Sequence, residues 1–210
     1  MWPYLGATVA DVVAACLLDG PLAVVGVDIP IGLPDASMRA ADTEAHRFVG
    51  PRRQSVFMTP VRAALEAPDH DTAKRLNLEA AGQSVSMQAY GLRHRILEVD
   101  GWLRGTPTGP DRPPVYEVHP EVSFAGLAGE TLANGKRTWA GCEQRRMLLA
   151  RDGIFVAGTL GAAGERAAVD DVLDAAAVTW TAARLAAGDA LSLPDSPEVF
   201  SDGLPAAIWV

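Results

Sequence analysis

The stretch Leu22-Ala-Val-Val-Gly-Val-Asp28-Ile-Pro-Ile-Gly-Leu-Pro34 sets the architecture. Leu22 to Val27 is apolar, rich in β-branched residues and without alternation, which suits a strand covered on both faces and ending on Asp28. Pro30, Gly32 and Pro34 then exclude both helix and regular strand, so the chain turns. An acid at the carboxyl end of a central strand, with a loop beyond it, is where α/β proteins place their chemistry. The plainer role for Asp28 is a loop cap made through a backbone hydrogen bond.

The residues around that strand supply helices. Met1–Gly20 carries a helical pattern at Val9, Val12, Val13 and Leu17, closed by Asp19-Gly20-Pro21. No strand precedes Leu22, so the sheet is expected to expose an apolar edge through which a homodimer could pair. Downstream, Ser37 can cap a helix over Met38–Val49, stopped by Gly50-Pro51. The loop Arg52–Pro60 combines adjacent arginines, hydroxyls and a proline, the ingredients of an anion-binding loop. Helices are expected over Asp71–Ala81 and Ser86–Leu103, the second with a core stripe at Leu92, Ile96, Val99 and Leu103, followed by a Gly/Pro-rich loop at Gly105–Pro114. Met38–Leu103 therefore reads as a helical insertion within one domain covering residues 1–210.

Val115-Tyr-Glu117-Val-His119-Pro120-Glu121 reads as a second strand, with Glu117 and His119 on one face and Pro120 ending it. Lys136-Arg137-Thr138 precedes a helix running to about Asp152, and Ile154–Val156 is a short strand or an extended connector. Gly164–Gly188 forms a late helix with the apolar stripe Val169, Leu173, Ala176 and Trp180. Asp170 and Asp174 flank its buried face and Asp171 points farther toward solvent; favourable interaction with the helix dipole is their plainer explanation. Asp189–Val210 is a Pro-rich extended tail with a final strand at Ala206–Val210.

Composition bounds what these elements can do. A chain of 210 residues, 49% of them apolar and 21% charged, can bury a substantial core and is not globally disordered. A formal charge of −8 argues against a general nucleic-acid coat protein but leaves room for a metal-dependent nuclease, which needs an acidic centre. Between Ala36 and Arg62, five arginines face only Asp42 and Glu44, a local charge of +3. No apolar run is long enough for a bilayer and no charged start precedes an apolar block, so a cytoplasmic protein without membrane association is expected. Cys16 and Cys142 are far apart and outside any metal-ligand spacing, as for reduced thiols.

Asp28, Glu117, Asp171 and Asp174 could converge at one sheet edge. Hard oxygen donors select Mg²⁺ or Mn²⁺. Two such ions about four ångströms apart would activate water and stabilise the leaving oxygen in phosphodiester hydrolysis. In that scheme the four acids are metal ligands, and His119 and Glu121 position water or the leaving group. Arg39, Arg47, Arg52, Arg53 and Lys136 hold phosphate, so nucleic acid is the expected substrate. No Walker loop, dinucleotide glycine fingerprint or Gly-x-Ser-x-Gly elbow is present. The rival reading is a non-catalytic module whose pocket binds a small anion, nucleotide or protein partner; in a third, the acids only cap helices and loops.

The ordered motifs "GVDIPIGLPD", "R-x-x-D-x-x-x-x-R", "SVF-x-x-P-x-R", "YEVHPEVSF", "KRT-x-x-G" and "DDVLDA" resemble the family called domain of unknown function 429, from about Val24 to Val210. That resemblance implies an RNase H-like α/β fold, a mixed sheet flanked by helices, and a predicted nuclease. The segment Asp171-Val-Leu-Asp174-Ala is also similar to the late helix of Holliday-junction resolvases, which implies Asp171 and Asp174 as a metal-binding pair beside Asp28. Members of the family usually begin with a strand and an Asp-Gly-Cys-x-x-Gly-Trp-like turn, whose Asp resembles a first metal ligand. This sequence has no such turn, so the expectation is a start assigned too late or a site without that carboxylate.

Overall fold

The computed structural model describes residues 2–110 and 112–210. Met1, at the start of the expected first helical stretch, and Asp111, within the expected Gly105–Pro114 loop, lie outside the described residues. In chain order the elements begin with α1 (Val9–Leu17), β1 (Val25–Val27), α2 (Ala40–Val49), α3 (Arg62–Leu65), α4 (His70–Ala81), α5 (Met87–Gly91) and α6 (Arg93–Gly105). They continue with β2 (Val115–Val118), α7 (Pro120–Ala128), α8 (Trp139–Arg151), α9 (Ala162–Arg166), α10 (Val169–Ala187), β3 (Ser192–Val199) and β4 (Pro205–Trp209). The fold is mixed α/β, with one parallel and one antiparallel strand pair among helices. No helix among the described residues is long and apolar enough to cross a membrane.

The chain forms two compact units. The first comprises the chain up to Asp28, Thr108–Ala190 and Val210; the second comprises Ile29–Pro107 and Leu191–Trp209. The expected insertion, Met38–Leu103, falls wholly inside the second unit, which also takes in both C-terminal strands.

In the first unit β1 runs parallel to β2, with Val25 opposite Val115, Gly26 opposite Tyr116 and Val27 opposite Glu117. Only these three residues of the apolar run join the ladder; Leu22–Val24 stay outside it. α10 packs on β1 at Gly26, where an added Cβ would sit 2.8 Å from Val178 Cγ1 and 3.1 Å from Val118 Cγ2. Glycine is therefore the residue that admits the helix so close to the strand. Phe124, Leu149, Leu173, Ala176 and Ala177, from α7, α8 and α10, form the buried core beside it. Ile154 and Val156 belong to an extended connector, not a strand, and pack against that core. The expected helix over Gly164–Gly188 is two helices, because Ala167 and Ala168 are extended, with ψ of 148° and 152°. The restart at Val169 places Asp170 and Asp171 in the first turn of α10.

In the second unit the expected extended tail is a hairpin, β3 antiparallel to β4, with Ser192 opposite Trp209 and Val199 opposite Pro205. α2 starts at Ala40, not Met38, and Ser37 is not its cap. The Ala40 N–H instead donates to the Glu198 carboxylate on β3 at 2.6 Å, so an acid remote in sequence caps the helix. The helix expected over Ser86–Leu103 breaks after Gly91 into α5 and α6, consistent with the poor helix propensity of glycine.

A three-residue ionic knot ties this unit together. Arg62 forks onto Asp100 at 2.9 and 2.8 Å and reaches Asp202 at 3.1 Å. Asp202 also accepts from the Leu33 N–H at 2.6 Å and the Leu204 N–H at 3.0 Å. Burial by itself would raise the Asp100 carboxyl, but the bonds from Arg62 and then Arg104 outweigh it and hold the group below the usual carboxylate range. Replacing Asp100 with Ala leaves Arg62 and Asp202 without the third member of the knot. Urea denaturation is expected to show a loss of about 3 kcal/mol, the scale for removing one partner of a buried pair, and a loss below about 0.5 kcal/mol would mean a merely superficial bridge.

Candidate metal centre

Asp28 follows the last residue of β1, at its carboxyl end. The pleat puts Val27 and its partner Glu117 on one face, and Gly26, Val118 and Asp28 on the face toward α10. Asp28 is densely surrounded by protein yet keeps a solvent-exposed surface, the situation of a side chain encircled but not covered. Its carboxyl is pushed up to about 7, first by desolvation and then by the negative charge of Asp174; Lys136 opposes the shift and Asp171 adds to it.

α10 supplies the opposing acids. Asp174, 9% exposed, is raised by burial, with Lys136 as the main opposing influence. Its Oδ2 accepts from Lys136 Nζ at 2.6 Å, while its Oδ1 is buried and has no hydrogen-bond partner. Lys136 Nζ also lies 3.7 Å from Asp170 Oδ2, and Arg137 Nε lies 3.6 Å from the same oxygen. Burial alone would lower the Lys136 ammonium, but the bond from Asp174 and the charges of Asp174, Asp170 and Asp28 raise it. Asp171 is exposed and makes itself felt at Asp28 through its charge.

The remaining expected site residues are placed differently. Glu117 is buried on the face of β2 opposite the one that meets α10, because strand alternation separates it from Asp28. His119 caps α7, its Nδ1 accepting from the Glu121 N–H at 3.2 Å. Glu121 is buried and bound by Arg145 Nη2 at 2.5 Å. Arg145, itself fully buried, donates to Asn134 O and Gly141 O and lies over the Phe124 ring at 5.1 Å. Of the phosphate-binding set, Arg39 is fully buried, ion-paired with Asp42 at 3.2 Å and bonded to Ile31 O at 3.1 Å. Lys136 is engaged by carboxylates. Arg52 sits half-buried in the 3-10 turn Gly50–Ser55. Arg47 and Arg53 are exposed and line an open cleft of about 440 Å³ in the second unit, with Met38, Thr43, His46, Met58 and Gln83.

Two participants escaped the sequence reading as site residues. Asp170 carried a signal: it lies four residues before Asp174, hence on the same helix face. Arg145 carried none, since a charged residue four beyond Gly141 in a mixed helix looks solvent-facing.

Among the described residues no group of three or more His, Cys, Asp or Glu side chains comes together as a metal cluster. What points to a hard cation is the chemistry of the donors, not a gathered cluster. All candidate donors are carboxylate oxygens, and one of them is a buried acceptor without a donor. Mg²⁺ in particular is held by one or two carboxylates plus water and substrate phosphate, not by an all-protein cage. Asp28 and Asp174, with Asp171 beside them, would hold such an ion; Glu117, on the other face, would not.

Fold and site together define a mixed α/β protein, consistent with an RNase H-like fold, with an acidic strand end facing an acidic helix. The chain belongs to the family Protein of unknown function (DUF429), whose family model matches residues 5–199. No curated protein and no solved structure matches the chain.

The raised Asp28 carboxyl makes stability depend on pH. Its folded value, about 7, exceeds the reference 3.8, so the folded state binds the proton more tightly. The associated stabilisation is complete below about pH 4 and is lost as pH rises through about 7. Denaturation without divalent cations is expected to show Asp28→Asn gaining on the parent chain between about pH 4 and 7. Parallel profiles for the two proteins would contradict the assignment.

Proposed function

We propose that the chain is a Mg²⁺- or Mn²⁺-dependent nuclease that hydrolyses phosphodiester bonds at the acidic face between β1 and α10. The observation that carries this reading is the buried, unpartnered Asp174 Oδ1 in the surroundings of Asp28, an oxygen poised for a hard cation. Asp28 and Asp174 would hold the ion, with the exposed Asp171 beside them adding its charge. The ion supplies Lewis-acid polarisation of a phosphoryl oxygen and a lowered pKa for bound water. Glu121 contributes through position: held by Arg145 at Oε1, it adds its negative charge to the surroundings of Asp174. His119, whose Nδ1 accepts from the Glu121 N–H, is held at the start of α7 beside Glu121. Of the expected phosphate-binding arginines, Arg47 and Arg53 are the ones exposed at the cleft of the second unit, with Arg52 beside Arg53 in the chain.

A second reading is favoured by one feature, the Arg47/Arg53 cleft. A 440 Å³ opening with two exposed guanidinium groups fits a module that binds a nucleotide or small anion without cleaving it.

Labelled single-stranded, duplex, hybrid and branched substrates, incubated with Mn²⁺, test the proposal. Cleavage by the chain is expected, with Asp28→Asn or Asp174→Asn reducing the rate at least about 10²-fold, the scale of removing a principal electrostatic contributor. Binding of the same substrates without cleavage, weakened by Arg47→Ala and Arg53→Ala, would support the binding module instead.

A further inference from the structure

The cleft of the second unit carries two positive charges that the chain leaves unanswered. Arg47 and Arg53 line an opening of about 440 Å³, a size usual for small-ligand pockets. Neither guanidinium has an ion pair or a hydrogen bond among the described residues. Several other exposed arginines do pair with acids: Arg75 with Glu79, Arg95 with Glu98 and Arg146 with Glu143. Among the described residues no Asp or Glu lines the cleft, and the nearby Asp42 of α2 turns inward to Arg39 and Thr59. In a chain of formal charge −8, this lining is a local exception.

The frame that presents the two arginines is fixed. Gly50 has a φ of 53°, which favours glycine, and lets α2 pass directly into the 3-10 turn Gly50–Ser55. Arg47, in the last turn of α2, and Arg53, in the 3-10 turn, thereby reach one opening. The His46 ring ties the far end of the turn back to the helix, its Nε2 donating to Val56 O at 2.6 Å. Val49 and Val56, on either side of the turn in the chain, are buried.

The lining also restricts what can fit. Met38 and Met58 supply apolar, adaptable surface, and Gln83 adds an amide. A phosphate monoester carries roughly 1.5 to 2 negative charges at neutral pH and three free oxygens, enough to answer both guanidinium forks. A phosphate diester carries a single charge and one free oxygen fewer, and so leaves one fork underused.

We propose that this cleft binds a phosphate monoester with a planar or apolar body, the class of the nucleoside monophosphates. The phosphate sits on Arg47 and Arg53 and the body lies against Met38 and Met58. The inference rests on the binding reading above and names its ligand class; it does not depend on the acidic face of the first unit.

The test is calorimetric titration of the full chain with adenosine monophosphate, inorganic phosphate, adenosine and ApA, the diester of two adenosines. One adenosine monophosphate per chain is expected, with the other three probes weaker by about tenfold or more, the scale of one charge-assisted hydrogen bond. Arg47→Ala and Arg53→Ala should each weaken adenosine monophosphate by about tenfold on the same scale. Arg151→Ala, which removes an exposed arginine of α8, should leave it unchanged. Circular dichroism establishes that each variant is folded. ApA bound as tightly as adenosine monophosphate, or adenosine monophosphate bound equally by the parent chain and both cleft variants, would overturn the inference. The binding reading would then still stand if the two variants weaken oligonucleotide binding. No binding of any phosphate probe or oligonucleotide would remove that reading and this inference together.

Discussion

The first unit depends on how closely α10 approaches β1. Helix and strand meet where Gly26 has no side chain, with Val178 and Val118 filling the space a Cβ would need. That contact carries the amino-terminal half of α10, with Asp170, Asp171 and Asp174, toward the strand end bearing Asp28. The electrostatics of the face follow from it. Carboxylates crowded this way must lose charge by protonation or gain positive charge from outside themselves. The protein does some of each, raising Asp28 and recruiting Lys136. A bulkier residue at position 26 would move the acids apart and dissolve the problem, and the site with it.

The basic segment Ala36–Arg62 shows how little a count of charges says about their use. Five arginines in a short span look like a phosphate-binding surface. Arg39 turns inward to Ile31 O and Asp42, and Arg62 is the centre of the knot with Asp100 and Asp202. Both are neutralised by acids they meet in the fold, and they hold the unit together. Arg47 and Arg53 remain at the surface with the cleft between them.

Much of the fold was legible because it is written in local physics. The apolar run ending in Asp28, the Thr138 cap, and the α2 stop at Val49 all follow from residues within a few positions of one another. What could not be read depends on partners remote in sequence. Ser37 looks like the cap of α2 until Glu198 takes that place. Glu117 looks like a fellow ligand of Asp28 until the parallel register pairs it with Val27 and so turns it to the other face. Lys136 looks like a phosphate contact until Asp174 folds against it. In each case the residue type was informative and its partner was not.

The Glu198 cap also orders events in time. The first turn of α2 and the Arg62 knot are both completed by residues near the end of the chain, Glu198 and Asp202, more than a hundred positions after the segments they secure. A chain growing from its amino terminus therefore exposes α2 with its leading N–H groups unmet, and Arg62 short of one partner, until β3 and β4 are made. Long-range closure of this kind slows folding, since the entropy of the intervening loop is lost before the contact forms. The second unit therefore cannot close until Leu191–Trp209 are made, although its first residues are made early.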